Sequence, residues 1–94
     1  MDFFTKPVPP DKAAIAGSVS DNRGQRLAAA RVLIVGGPAH PDIAALTDSQ
    51  GRYRFDGLLP GDYTVLVNAS GQPQQEGKVA ANLGTLAHLD FVLG

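Results

Sequence analysis

The chain has 94 residues, which is enough for one domain with a small hydrophobic core. Its 8 basic and 9 acidic residues give a formal net charge of −1, and they are spread thinly. No basic stripe is therefore available to neutralise the phosphates of a nucleic acid. The absence of cysteine excludes disulfides, thiolate metal ligands and thiol nucleophiles.

Residues 1–12 are expected to form a flexible, Pro-rich N-terminal segment, with the folded domain at residues 13–94. Residues 6–10 read Lys-Pro-Val-Pro-Pro, a composition that favours extended polyproline geometry and is typical of a semi-rigid spacer. The acidic start does not fit a secretory signal peptide, and no window holds 18 consecutive apolar residues. We therefore predict no signal peptide and no membrane insertion for these residues, and the compartment stays open.

An alternating apolar pattern begins at Ala14 and predicts β-strands, the first of which places Ile15, Gly17 and Val19 on one face. An Asp-x-x-Gly turn follows at residues 21–24. Its aspartate can accept hydrogen bonds from the turn backbone, and its glycine can adopt a positive φ. The next run, residues 30–35, is apolar on both faces, which predicts a central strand covered on each side.

A loop is predicted at residues 36–42, and a β-hairpin follows it. The hairpin strands, residues 44–47 and 52–55, are joined by a second Asp-x-x-Gly turn at residues 48–51. Alternation along the second strand predicts that Tyr53 and Phe55 point into the core. By the same alternation we expect Arg52 and Arg54 to face water.

Pro60 and Gly61 predict a type II turn that leads into the strongest strand, residues 63–69. A weak strand is predicted at residues 78–80 and a closing strand at residues 86–93, the latter with Leu89, Phe91 and Leu93 inward. No segment carries a convincing 3.6-residue repeat. Seven short strands separated by glycine and proline turns predict an all-β fold, a β-sandwich.

Several stretches of this pattern carry a family resemblance: Ile15-Ala-Gly-Ser-Val19, Asp21-x-x-Gly24, Leu27, Ala30-x-Val-x-Ile34, Thr47-Asp-Ser-Gln-Gly-Arg-Tyr-Arg-Phe55, Leu58-x-Pro-Gly-x-Tyr63-x-Val-x-Val67 and Leu89-Asp-Phe-Val-Leu93. Together they resemble the carboxypeptidase regulatory-like domain over residues 13–93. The resemblance implies a seven-stranded, Greek-key β-sandwich of the transthyretin-like (prealbumin-like) type. Members often sit beside catalytic domains without catalysing a reaction themselves. Tyr63 is expected to hydrogen-bond to nearby backbone, as tyrosine corners do.

Enzymatic functions fit the sequence less well. Parts of the chain are similar to intradiol ring-cleaving dioxygenases, which hold ferric iron with two tyrosines and two histidines. Tyr63 and His88 fall where two ligands would lie, but Asp90 replaces the second histidine and the other tyrosine is missing. The chain also lacks the clustered histidines of hydroxyisourate hydrolases and the first-strand lysine of isopeptide-bonded sandwiches. We predict no catalytic residue, metal site or cofactor.

The sequence instead favours a non-catalytic accessory or protein-interaction module. The loop at residues 36–43 is the candidate contact surface, because its prolines restrain its shape and lower the entropy lost on binding. Its candidate partner-binding residues are Pro38, His40, Pro41 and Asp42. The expected partner is another protein or the parent polypeptide. The alternative is a structural subunit of a larger extracellular, spike or injection-type assembly, and a homo-oligomer formed through edge strands is also considered. A small transthyretin-like enzyme is the least favoured function.

Overall fold

The computed structural model describes residues 6–38 and 44–94. Eight strands form within these ranges: β1 (Ala13–Asp21), β2 (Arg31–Gly36), β3 (Ala44–Leu46), β4 (Arg52–Leu58), β5 (Gly61–Asn68), β6 (Gln75–Ala81), β7 (Leu86–His88) and β8 (Phe91–Leu93). Nothing in the same ranges forms a helix with the length and apolar character that a membrane span needs.

The strands build two packed sheets, which confirms the predicted all-β sandwich. In sheet one, β1 lies between antiparallel β4 on one side and parallel β7 and β8 on the other. Sheet two has the order β3-β2-β5-β6, and every neighbouring pair in it is antiparallel. The run at residues 30–35 therefore supplies a central strand, as its two apolar faces predict.

The closing strand was expected to be continuous, but the structure breaks it into β7 and β8, so eight strands replace the predicted seven. The break lies at Leu89 and Asp90. The Leu89 amide still donates to the Ala16 carbonyl (3.0 Å). The next acceptor for β1 is a side chain, because the Asp90 carboxylate accepts from the Ser18 amide at 2.8 Å. A carboxylate that takes the place of a backbone carbonyl interrupts the ladder.

The core between the sheets is made by the inward faces of the alternating strands. Ile15 and Val19 of β1 are fully buried, and they belong to one cluster with Val32, Val65 and Val67 of sheet two. Burial of each such side chain contributes about 1.5–3 kcal/mol relative to leaving it exposed. The sequence pattern thus places these core residues correctly.

Gly17 occupies the inward position between Ile15 and Val19, where no side chain can fit. A Cβ at this position would overlap the Leu89 carbonyl oxygen and would lie 2.9 Å from the Tyr53 hydroxyl oxygen. That hydroxyl donates to the same Leu89 carbonyl at 2.5 Å. Gly17 therefore provides the space in which Tyr53 of β4 is tied to the break between β7 and β8.

The expectation that Arg54 faces water is wrong. Arg54 points away from the core, as alternation requires, yet its side chain is 0% exposed. The residue opposite it on β1 is Ala16, which has a short side chain and is itself buried. Arg54 Nε donates to the Asp56 carboxylate at 3.0 Å, which supplies the opposite charge that a buried cation needs. Arg52 has a side chain that is 37% exposed, as expected.

Candidate functional site

The predicted contact loop falls mostly outside the described residues. His40, Pro41 and Asp42 lie there, so their role in partner binding stays a prediction. Pro38, the first residue of the set, is exposed. A Cβ built on Gly61 would lie 2.7 Å from Pro38 Cγ, so the glycine makes room for the proline where the loop leaves β2.

A second candidate surface, which the sequence pattern did not predict, lies on the outer face of sheet two. Val32 and Ile34 of β2 point into the core, so the alternate residues Leu33 and Val35 point outward. In register with Leu33 stand Ala44 of β3 and Leu66 of β5. We call the set Leu33, Val35, Ala44, Leu46 and Leu66 the apolar face.

The apolar face is open to solvent over much of its area. Leu46 is 63% exposed and Val35 is 49% exposed, while Leu33 and Leu66 are half-buried by their neighbours in the sheet. Isolated exposed apolar residues need no explanation, but contiguous apolar patches mark interaction sites. The expectation that β2 is covered on each side is therefore met only on its core side, among the parts of the chain that the structure describes.

Charged side chains border the apolar face at the start of β2 and along the edge strand β6. Arg31 stands in register with Leu46, and Glu76 of the edge strand β6 stands in register with Leu66. Lys78, two residues further along β6, stands opposite Thr64. An apolar centre with a polar rim is the usual anatomy of a protein–protein interface.

A shallow cleft of about 280 Å³ lies on sheet one, lined in part by Arg26, Tyr53, His88 and Asp90. Two of its polar residues, Asp90 and Tyr53, are engaged in structural hydrogen bonds. Asp90 Oδ1 accepts from both the amide and the hydroxyl of Ser18, at 2.8 and 3.1 Å. Burial, helped by the nearby Asp90 charge, raises the pKa of Tyr53, so its hydroxyl stays protonated and donates to backbone. No arrangement of nucleophile, base and orienting group is visible among these four residues.

The two residues that matched the iron-ligand pattern are held apart by the fold. Tyr63 of β5 points into the sandwich, is 1% exposed, and donates to the Leu59 carbonyl at 2.6 Å, which confirms the predicted tyrosine-corner bond. His88 of β7 is exposed on the opposite sheet. Across the described ranges, no three His, Asp or Glu side chains gather as a metal-binding group.

The family model for the carboxypeptidase regulatory-like domain matches residues 14–94, nearly the whole chain. The stretches quoted from the sequence for this family lie within or at the edge of that match. The domain is in the transthyretin-like superfamily. No curated protein sequence matches the chain.

Solved structures with the same fold include the following three. One is a chain of a type II Cohesin-X-Dockerin complex from Acetivibrio cellulolyticus, with a TM-score of 0.61 and 20% identity; the match covers 85% of this chain and 56% of that one. The dioxygenase domain of a dioxygenase carbohydrate-binding protein fusion from Streptomyces sp. SirexAA-E has a TM-score of 0.63 and 17% identity, covering 92% and 81%. Chlorocatechol 1,2-dioxygenase from Pseudomonas putida has a TM-score of 0.63 and 15% identity, covering 99% and 69%. At these identities the likeness concerns the fold alone.

Proposed function

The chain belongs to the carboxypeptidase regulatory-like domain family, and on that basis we propose that it is a non-catalytic protein-interaction module that docks a partner protein through its apolar face. The observation that carries this proposal is the continuity of the face across β3, β2 and β5, with Leu46 63% exposed at one corner. Removing apolar surface of this kind from water contributes about 25 cal/mol per Å² to association.

The chemistry of the face defines the kind of partner. The centre is an aliphatic sheet surface, so the partner presents an apolar surface of its own. Arg31 and Lys78 on the rim call for carboxylates on the partner, and Glu76 calls for a basic group. A partner polypeptide meets these needs better than a small ligand, which needs a concave pocket. The Cohesin-X-Dockerin likeness is compatible with this function, because that fold also occurs in a chain of a protein–protein complex.

A photo-cross-linking amino acid placed at Leu46 tests the proposal. Leu83 provides the matched control, because it is also a leucine and is 51% exposed, but it lies in the turn before β7. In the native host cell we expect a discrete adduct at position 46 that is absent at position 83. The cross-linked protein, once identified and purified, should bind the Leu46→Ser variant at least tenfold more weakly than the natural chain, which is about 1.4 kcal/mol.

The Leu83→Ser variant should bind the same purified partner with unchanged affinity. Both substitutions are at exposed positions, so thermal unfolding should stay close to that of the natural chain and exclude misfolding as a cause. Equal adducts at the two positions, or equal affinity of the Leu46→Ser variant, would refute the proposal.

A further inference from the structure

We infer that the apolar face also pairs with a second copy of this chain, forming a weak two-fold dimer in which the two faces pack together. The inference rests on the proposed function, since it names an occupant for the same surface. Self-association through edge strands was considered from the sequence as one alternative. The exposed aliphatic side chains lie instead on the face, and the edge strand β6 carries Glu76 and Lys78, charges that discourage edge pairing.

The charges on β6 are arranged so that the face complements itself. Glu76 and Lys78 are two residues apart on one strand, so both project on the outer side. Consider a two-fold axis in the interface, perpendicular to the strands and passing between these two positions. It places Glu76 of each copy opposite Lys78 of the second copy, giving two equivalent ion pairs, as a two-fold interface requires.

The same axis matches three residues of the apolar face, Leu33, Val35 and Leu66. It sets Leu33 of one copy near Val35 of the other, because Leu33 pairs with Leu66 and Val35 lies in the bulge of β2 beside the Gly36–Thr64 pair. It sets Leu66 against Thr64, whose register partner across β5 and β6 is Lys78. The two sheets then pack in the aligned manner of β-sandwiches, with apolar side chains in the middle and ion pairs at one edge.

The size of the face sets the strength of the dimer. Four strands about 4.8 Å apart, with three to eight residues each and about six on average, give an area of roughly 400 Å² at about 3.3 Å per residue. Two such faces bury about 800 Å² in total, less than the roughly 1,200–2,000 Å² of a stable interface. We therefore expect a reversible dimer with a Kd of about 0.1 mM.

Charge exchange combined with sedimentation velocity between about 10 μM and 1 mM tests this arrangement. The natural chain should shift from monomer toward dimer across that range. Glu76→Lys alone places four lysines at the two pairing positions, and Lys78→Glu alone places four glutamates there, so each should weaken the dimer at least fivefold. The double exchange, Glu76→Lys with Lys78→Glu, restores opposite charges and should restore the dimer. Leu83→Ser should dimerise like the natural chain.

A natural chain that remains monomeric at 1 mM would overturn the inference, as would single exchanges that dimerise as strongly as the natural chain. The proposed function has a separate readout. If the chain is monomeric but Leu46→Ser weakens binding of the cross-linked partner, the dimer is refuted and the interaction module stands. If Leu46→Ser leaves partner binding unchanged, the proposed interaction module is refuted, whether the natural chain is a monomer or a dimer.

Discussion

Substituting Gly17 with alanine should destabilise the domain severely although it adds only one methyl group. The new Cβ would overlap the Leu89 carbonyl oxygen, so the backbone between β7 and β8 must move. Overpacking of this kind costs about 1–3 kcal/mol. The movement also breaks the buried hydrogen bond from Tyr53 to Leu89, which adds about 1–3 kcal/mol. Alanine also lowers the conformational entropy of the unfolded chain, and this offsets about 0.4–1 kcal/mol of the loss in stability.

The net loss is about 3 kcal/mol, which for a domain of this size lowers Tm by roughly 12–24 °C. Calorimetry and urea denaturation can measure it. Gly36→Ala is the matched control, because a Cβ there would lie 3.4 Å from the Thr64 side chain and Gly36 has no positive φ. It should change stability by less than about 1 kcal/mol.

A double-mutant cycle separates the hydrogen bond from the backbone clash. Tyr53→Phe should cost about 1–2 kcal/mol in the natural chain but much less when Gly17 is already alanine, since the bond to Leu89 is then broken. The reasoning fails if Gly17→Ala is as stable as Gly36→Ala. It also fails if the costs at positions 17 and 53 simply add.

Three further changes probe the buried polar contacts and the turn. Tyr63→Phe removes the bond to the Leu59 carbonyl and should cost about 1–2 kcal/mol in urea denaturation; a neutral result would contradict a tyrosine corner. Thr47→Val should cost about 2 kcal/mol of folding stability, because the Thr47 hydroxyl accepts from the Ala30 amide at 2.9 Å and donates to the Leu27 carbonyl at 2.6 Å. The control Thr47→Ser keeps both bonds and should cost less. Burial acts to raise the pKa of Asp48, but amide and guanidinium donors outweigh it, so the pKa lies below the ordinary value of 3.8. Asp48 therefore stabilises the fold above about pH 4 and loses that contribution as the pH falls further. In the Asp48→Asn variant, the midpoint of urea denaturation should decline less steeply below about pH 4 than in the natural chain. An unchanged slope would argue against this role of Asp48.

The two Asp-x-x-Gly turns were predictable because their chemistry is local, but the predicted hairpin was wrong, since β3 and β4 on either side of the second turn lie in different sheets. In the turn after β1, Asp21 accepts from the backbone amides two and four residues on, at 2.9 Å each, and Gly24 has φ 82°. Asp48 accepts in the same way from the amides at positions 50 and 52, and Gly51 has φ 72°. Five consecutive residues contain these interactions in each turn, so the sequence pattern is sufficient to predict the two turns.

Other features depend on residues that are distant in the sequence. Arg54 is buried where the sheet places it in register with Ala16 of β1. The break before β8 requires Ser18, 72 positions away, as the donor to Asp90. The apolar face joins β3, β2 and β5 in an order that is set by strand pairing. Period-two alternation in the sequence shows that β2 is apolar on both faces, but it does not show which of the two faces is left uncovered. Tyr63 and His88 match the iron-ligand pattern in the sequence, but the fold places them in different sheets.

The position of β1 beside β7 and β8 has a mechanical consequence. Both pairs are parallel, through positions 14–16 against β7 and positions 19–21 against β8. The start of β1 and the end of β8 therefore lie at opposite ends of the sheet, and a stretching force applied there loads these two sets of hydrogen bonds in shear. Bonds loaded in shear must break together, whereas a hairpin pulled from its open end unzips one bond at a time. Resistance to stretching is then set by the rate of unfolding under load rather than by equilibrium stability.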